Sequence, residues 1–313
     1  MSELELTPEQ PQKLSRWQAL RQNPVTIKEL RSRMRGRRAF AVMTAYLIAM
    51  SLFVLLVYAA FASAASGPFG PNARDVGKAI FVAIIGVQGF LVVFVGPSFT
   101  AGAISGEKER QTFELLRTTL LPANRFVMGK LISSLGYVYL MIFAAIPLQS
   151  LAFLLGGVSF AELLVSQLIL FVAAISFALW GLFCSSGLKS TLGASVVTFA
   201  GALFITIGTP MLAGFFTAII APFLALSSSL SWVGEAALAY GLLFLASTNL
   251  PATMMASEII LLEEGSLFIW EITTSGQTIY LFSPWPLFIL LYTLLALFLY
   301  WLTVKNVRRI SKS

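Results

Sequence analysis

Apolar residues run through this chain in blocks long enough to cross a lipid bilayer, and polar positions are confined mostly to the gaps between them. The blocks fall at about 39–62, 77–104, 126–155, 160–184, 190–209 and 286–304. Each approaches or exceeds the roughly 20 residues that cross a hydrocarbon core of about 30 Å. That core offers no water to backbone groups, so the blocks predict helices. Pro97 should kink the second block, and Pro147 interrupts the third in its latter half, because proline lacks the backbone donor. Only Gly156, Gly157, Val158 and Ser159 separate the third block from the fourth, which predicts a tight helical hairpin.

The interval 210–285 is unlike an ordinary loop. Its stretches 211–226 and 232–245 are apolar and nearly long enough to cross. Pro210 and Pro222 break the first, and the SSSLSW turn between them carries no Lys or Arg. These features favour re-entrant helices ahead of the last block. The expected fold is therefore an all-α integral membrane protein with six transmembrane helices, with eight spans as the alternative.

Composition supports that class. Hydrophobic residues make up 58% of the 313, and charged residues only 11%. A soluble domain of this size could not bury so much apolar surface. One cysteine, Cys184, excludes an intrachain disulfide framework. There is no histidine, so imidazole can serve neither as metal ligand nor as general base. No cleaved signal peptide is expected at the polar start, and no metal site, catalytic residue or nucleic-acid partner is expected.

Lys and Arg placement then sets an orientation. If 1–22, 23–38, 105–130, Lys189 and the tail 305–313 share the cytoplasmic side, that side holds 19 of the 21 basic residues. Only Arg74 and Lys78 remain opposite, with Asp75, Glu162, Glu235, Glu258, Glu263, Glu264 and Glu271. Both termini are expected in the cytoplasm, and the protein in the cell (inner) membrane.

Within 23–38, Asn23 can cap a helix and Pro24 suits its first position. Ile27, Leu30 and Met34 form one stripe, while Lys28, Arg31, Arg35 and Arg38 occupy the remaining surface. A basic amphipathic helix beside a span belongs in the headgroup layer, attracted by anionic lipid. Those charges either fix topology alone or brace a partner against the first span.

The second and third blocks are separated by a charged island, SGEKERQTFELLRTTLLPANRFVMGK, at 105–130. Over 107–121 it predicts a helix stopped by Pro122. Phe113, Leu116 and Leu120 would form an apolar face, with Glu107, Arg110, Glu114 and Arg117 largely on the other side. Glu107–Arg110 and Glu114–Arg117 are i, i+3 pairs of a few tenths of a kcal/mol each. So short a helix is marginal alone in water, which calls for a membrane surface or a protein groove against Phe113 and Leu116. The plainer reading is a solvated loop.

The order of residues in the island resembles the coupling segment of ABC-2-type transporter permeases. Glu107, Lys108, Glu109, Thr112, Glu114, Leu115, Leu116, Pro122, Gly129 and Lys130 match that pattern, while Gln111 stands where the family commonly has Gly. Asn23-Pro24 followed by Lys28-Glu29-Leu30-Arg31 resembles the family's interfacial connecting helix, and the apolar stretches of 210–285 resemble its re-entrant helices. The resemblance implies a permease subunit, of exporter type, pairing with a second permease copy in a homodimer or heterodimer. It also implies a cytosolic ABC ATPase docked under 107–121, on Glu107, Lys108, Glu109, Arg110, Thr112, Phe113, Glu114, Leu116 and Arg117. No G-x-x-x-x-G-K-[ST] loop is present, since Gly129-Lys130 is followed by Leu131. ATP and Mg²⁺ would be held by the partner, with no cofactor on this chain.

Two other functions compete. A polytopic membrane enzyme would want ionisable groups at membrane depth, and the six blocks hold almost none. An ion-coupled carrier could use hydroxyl and backbone oxygens near Thr206 and Thr209. Gln88, Gln149 and Gln167 read as interhelical hydrogen-bond partners.

Overall fold

A computed structural model describes residues 37–64, 72–112, 122–226, 232–264, 268–274 and 277–310. The expected interfacial helix, with Lys28, Arg31 and Arg35, lies outside the described residues. So do Phe113, Glu114, Leu116 and Arg117 of the island.

The first long helices are α1 (Arg37–Ala64) and α2 (Ala73–Thr100), followed by the short α3 (Ser105–Glu109). Next come α4 (Ala123–Ala144), α5 (Ile146–Leu154), α6 (Phe160–Gly187) and α7 (Thr191–Leu203). A π-helical turn, Phe204–Gly208, joins α7 directly to α8 (Thr209–Leu226). Then follow α9 (Trp232–Ser247), α10 (Leu250–Glu264), strands β1 (Ile269–Thr274) and β2 (Gln277–Phe282), and α11 (Pro284–Ile310). Among the described residues, six helical segments are long and apolar enough to cross a membrane. The chain is a mainly helical, multi-pass membrane protein.

Four sequence expectations change in detail. The island helix does not run unbroken from Glu107. Instead, α3 ends at Glu109, and Gln111 adopts a left-handed backbone with φ 57°. The third block bends at Ala145, and Pro147 sits in the first turn of α5, where its missing N–H costs nothing. The fifth block does not stop before Pro210 but continues as helix to Leu226. The interval before α11 includes a β-hairpin, with Ile269 opposite Phe282 and Thr274 opposite Gln277.

The core centres on α6, which packs on α2, α4 and α11. Leu170, Ala173, Ala174, Ala178 and Leu182 of α6 are fully enclosed, beside Val92, Val138, Ile142 and Phe288. By contrast, only 11% of an 18-residue apolar stretch is buried in α1 and in Thr191–Ile219, against 67% in α6. Those two helices are the margins of the bundle.

The predicted hairpin between the third and fourth blocks is present. Gly156 turns with φ 74°, and Gly157 lies so close to α2 that a Cβ there would stand 2.3 Å from the Lys78 backbone nitrogen. Ser159 then caps α6: its hydroxyl accepts from the Glu162 N–H, while its own N–H donates to the Glu162 carboxylate.

Candidate functional site

Each side chain of the island's acidic-basic-acidic cluster finds a partner elsewhere in the chain, Glu107 and Lys108 half-buried and Glu109 at the surface. Glu107 accepts from Lys130 Nζ at 2.5 Å, tying the end of α2 to α4. Lys108 Nζ donates to the carbonyls of Ser186 (2.6 Å) and Leu188 (3.1 Å), where α6 has run out of its own donors. Glu109 takes the Thr191 N–H at 2.8 Å and the Thr191 hydroxyl at 2.7 Å, at the first turn of α7. A carboxylate suits that position because the free N–H groups of a helix start carry partial positive charge.

Beneath these charges, Ser185 Oγ receives the backbone N–H groups of Ile104 and Ser105, both at 2.9 Å. The Asn306 amide of α11 reaches Ser186 Oγ at 3.1 Å. Five helices thus meet in one polar knot: α2 through its extension α3, with α4, α6, α7 and α11. The predicted Glu107–Arg110 pair is replaced by Glu107–Lys130. Arg110 and Thr112 are exposed, and the Thr112 hydroxyl donates to the Glu107 carbonyl at 3.3 Å. Ser185, Ser186 and Thr191 were not singled out in the sequence; the Ser/Thr density of the SSGLKST link was the signal for them.

Inside the bundle, three glutamines form a relay. Gln167 Nε2 donates to Gln149 Oε1 (3.1 Å), Gln149 Nε2 to Gln88 Oε1 (2.8 Å), and Gln88 Nε2 to the Ile142 carbonyl (3.1 Å). All three are buried, as the reading of interhelical hydrogen bonding expected. The Thr206 and Thr209 hydroxyls bond to carbonyls one turn back, Ala202 and Ile205. Asn249, which lies between α9 and α10, donates to the Ile205 and Thr206 carbonyls at 2.8 and 2.9 Å. These are carbonyls of the π turn just before Pro210, whose missing N–H leaves the helix short of a donor there.

Towards the other end of the bundle, Lys78 of α2 pairs with Glu162 of α6 (3.2 Å) and with Glu258 of α10. This brings together three of the residues that charge placement had assigned to one side. All three side chains are at most 15% exposed. They line an elongated apolar cleft of about 570 Å³ between α2, α6, α10 and the π turn, walled by Phe90, Val93, Ile169 and Met254. The volume lies within the range typical of small-molecule sites.

No protein-family model matches this chain, and none of the curated proteins is a significant match to it.

Proposed function

We propose that this chain is the membrane-spanning permease subunit of an ATP-driven ABC transporter of the ABC-2 type, working as an exporter. The observation that carries the reading is the polar knot at Glu107, Lys108 and Glu109. It roots the island in five helices at once, so a force applied to 113–121 would be delivered to the bundle rather than dissipated in a loop. In this reading the three charged side chains are the footing of the coupling element. Arg110, Thr112, Phe113, Glu114, Leu116 and Arg117 are its face towards a separate cytosolic ATPase, which binds ATP and Mg²⁺.

The same reading places both termini in the cytoplasm and the 23–38 helix, with Lys28, Arg31, Arg35 and Arg38, against anionic headgroups. It pairs the chain with a second permease copy. Helices α9 and α10, of 16 and 15 residues, span only about 24 Å and 22 Å at 1.5 Å per residue. They are too short to cross, which favours a re-entrant pair.

The test is co-expression with candidate ABC ATPase subunits. The Glu114→Lys, Arg117→Glu double variant should lose the ATPase on purification and lose transport-coupled ATP hydrolysis. If complex and coupled hydrolysis both survive, the coupling role is wrong.

A further inference from the structure

The apolar cleft has one charged end. Among the described residues lining it, Lys78, Glu162 and Glu258 alone are ionisable, and with all three ionised the carboxylates outnumber the ammonium by one. Such an excess in a poorly solvated place attracts a counter-ion strongly, because the low local dielectric screens it little. A second observation points the same way. The Ser257 hydroxyl lines the same cleft, on a residue only 3% exposed, and has no hydrogen-bond partner among the described residues. A buried hydroxyl left unpaired carries an uncompensated desolvation penalty, which a ligand bonding to it would offset. The α2 side of the cleft runs from Lys78 to Phe94, about 24 Å at 1.5 Å per residue, and beyond the charged end its walls are almost wholly apolar.

We propose that this cleft binds a single-headed amphiphile with a primary ammonium group. The head lies among Glu258, Glu162 and Ser257, and the apolar body extends along α2 past Phe90 towards Val93. An anionic head would face two carboxylates. A neutral head would leave the excess charge in place. A quaternary head could offer no N–H to Ser257. The site stands on the cleft alone and does not depend on an ATPase partner.

The experiment uses the full chain in phosphatidylcholine nanodiscs and dodecylammonium carrying a diazirine on its chain. Photolabelling should fall on cleft residues such as Met254 and Phe90 and be competed by unlabelled dodecylammonium. Dodecyltrimethylammonium should compete several-fold less well, and the matched dodecanol probe should not concentrate in the cleft. Glu258→Gln should reduce cleft labelling by the ammonium probe about tenfold, the loss of one charge-assisted contact. If that variant fails to accumulate, Ser257→Ala tests the same site and should weaken labelling several-fold. Equal labelling by ammonium and alcohol probes would make the cleft an unselective lipid slot and overturn the proposal. So would labelling absent from the cleft, equal competition by the quaternary amine, or labelling unchanged in Ser257→Ala.

Discussion

Glu109 and Thr191, 82 positions apart in the chain, meet through two hydrogen bonds, with the Glu109 carboxylate receiving both the N–H and the hydroxyl of Thr191. The contact closes the first turn of α7 with a side chain from the island, so the start of one margin helix depends on the end of α2. Glu109→Ala should leave the chain membrane-inserted but speed amide hydrogen exchange at Thr191–Gly193 by roughly several-fold, with α11 amides unchanged. Exchange rates identical to the parent would show that the Ser190 hydroxyl, which accepts the Gly193 N–H at 3.2 Å, holds that turn alone.

Gln111 carries a backbone conformation that glycine adopts freely and other residues adopt at a cost of about 1–2 kcal/mol. Gln111→Gly should therefore keep or raise thermal stability, while the β-branched Gln111→Val should lower it by about 1–2 kcal/mol. Unfolding followed in detergent, with both variants side by side, reads the difference.

Asn249 compensates for Pro210. Asn249→Leu removes the donor from two carbonyls and should cost about 2–3 kcal/mol. Pro210→Ala supplies an N–H to the same turn, so the double variant should recover part of that loss. A strictly additive cycle would mean the two residues act independently.

The glutamine relay should respond asymmetrically. Gln149→Leu alone strands the Gln88 carbonyl and the Gln167 amide, at about 2 kcal/mol or more. Replacing Gln88, Gln149 and Gln167 together by leucine removes the three amides at once, leaves the Ile142 carbonyl its bond from the Ala145 N–H, and should come close to the parent. The comparison needs only the three unfolding curves.

Much of this architecture was legible because its cause is local. Apolar run length set the spans, and Gly156 with Gly157 set the tight hairpin. The three glutamines announced themselves as polar groups in apolar surroundings. What escaped the sequence depends on contacts between distant segments. Pro210 reads as a helix end, and it is overridden only because Asn249, about forty positions later, supplies the missing donors. The charges of the island read as a surface facing outwards, yet Glu107, Lys108 and Glu109 find partners on α4 and the α6–α7 link. No periodicity could have shown that. The cleft likewise needs three helices to exist at all.

The central place of α6 also constrains how the protein is made. Ser176 donates to the carbonyl of Tyr292 and Phe177 packs against the same residue, which is synthesised 116 positions after Ser176. Until α11 is synthesised, the innermost helix of the bundle keeps an unfilled flank in the bilayer. Biogenesis of this chain is therefore a matter of waiting: the earlier spans can insert in order, but the fold locks only when α11 arrives.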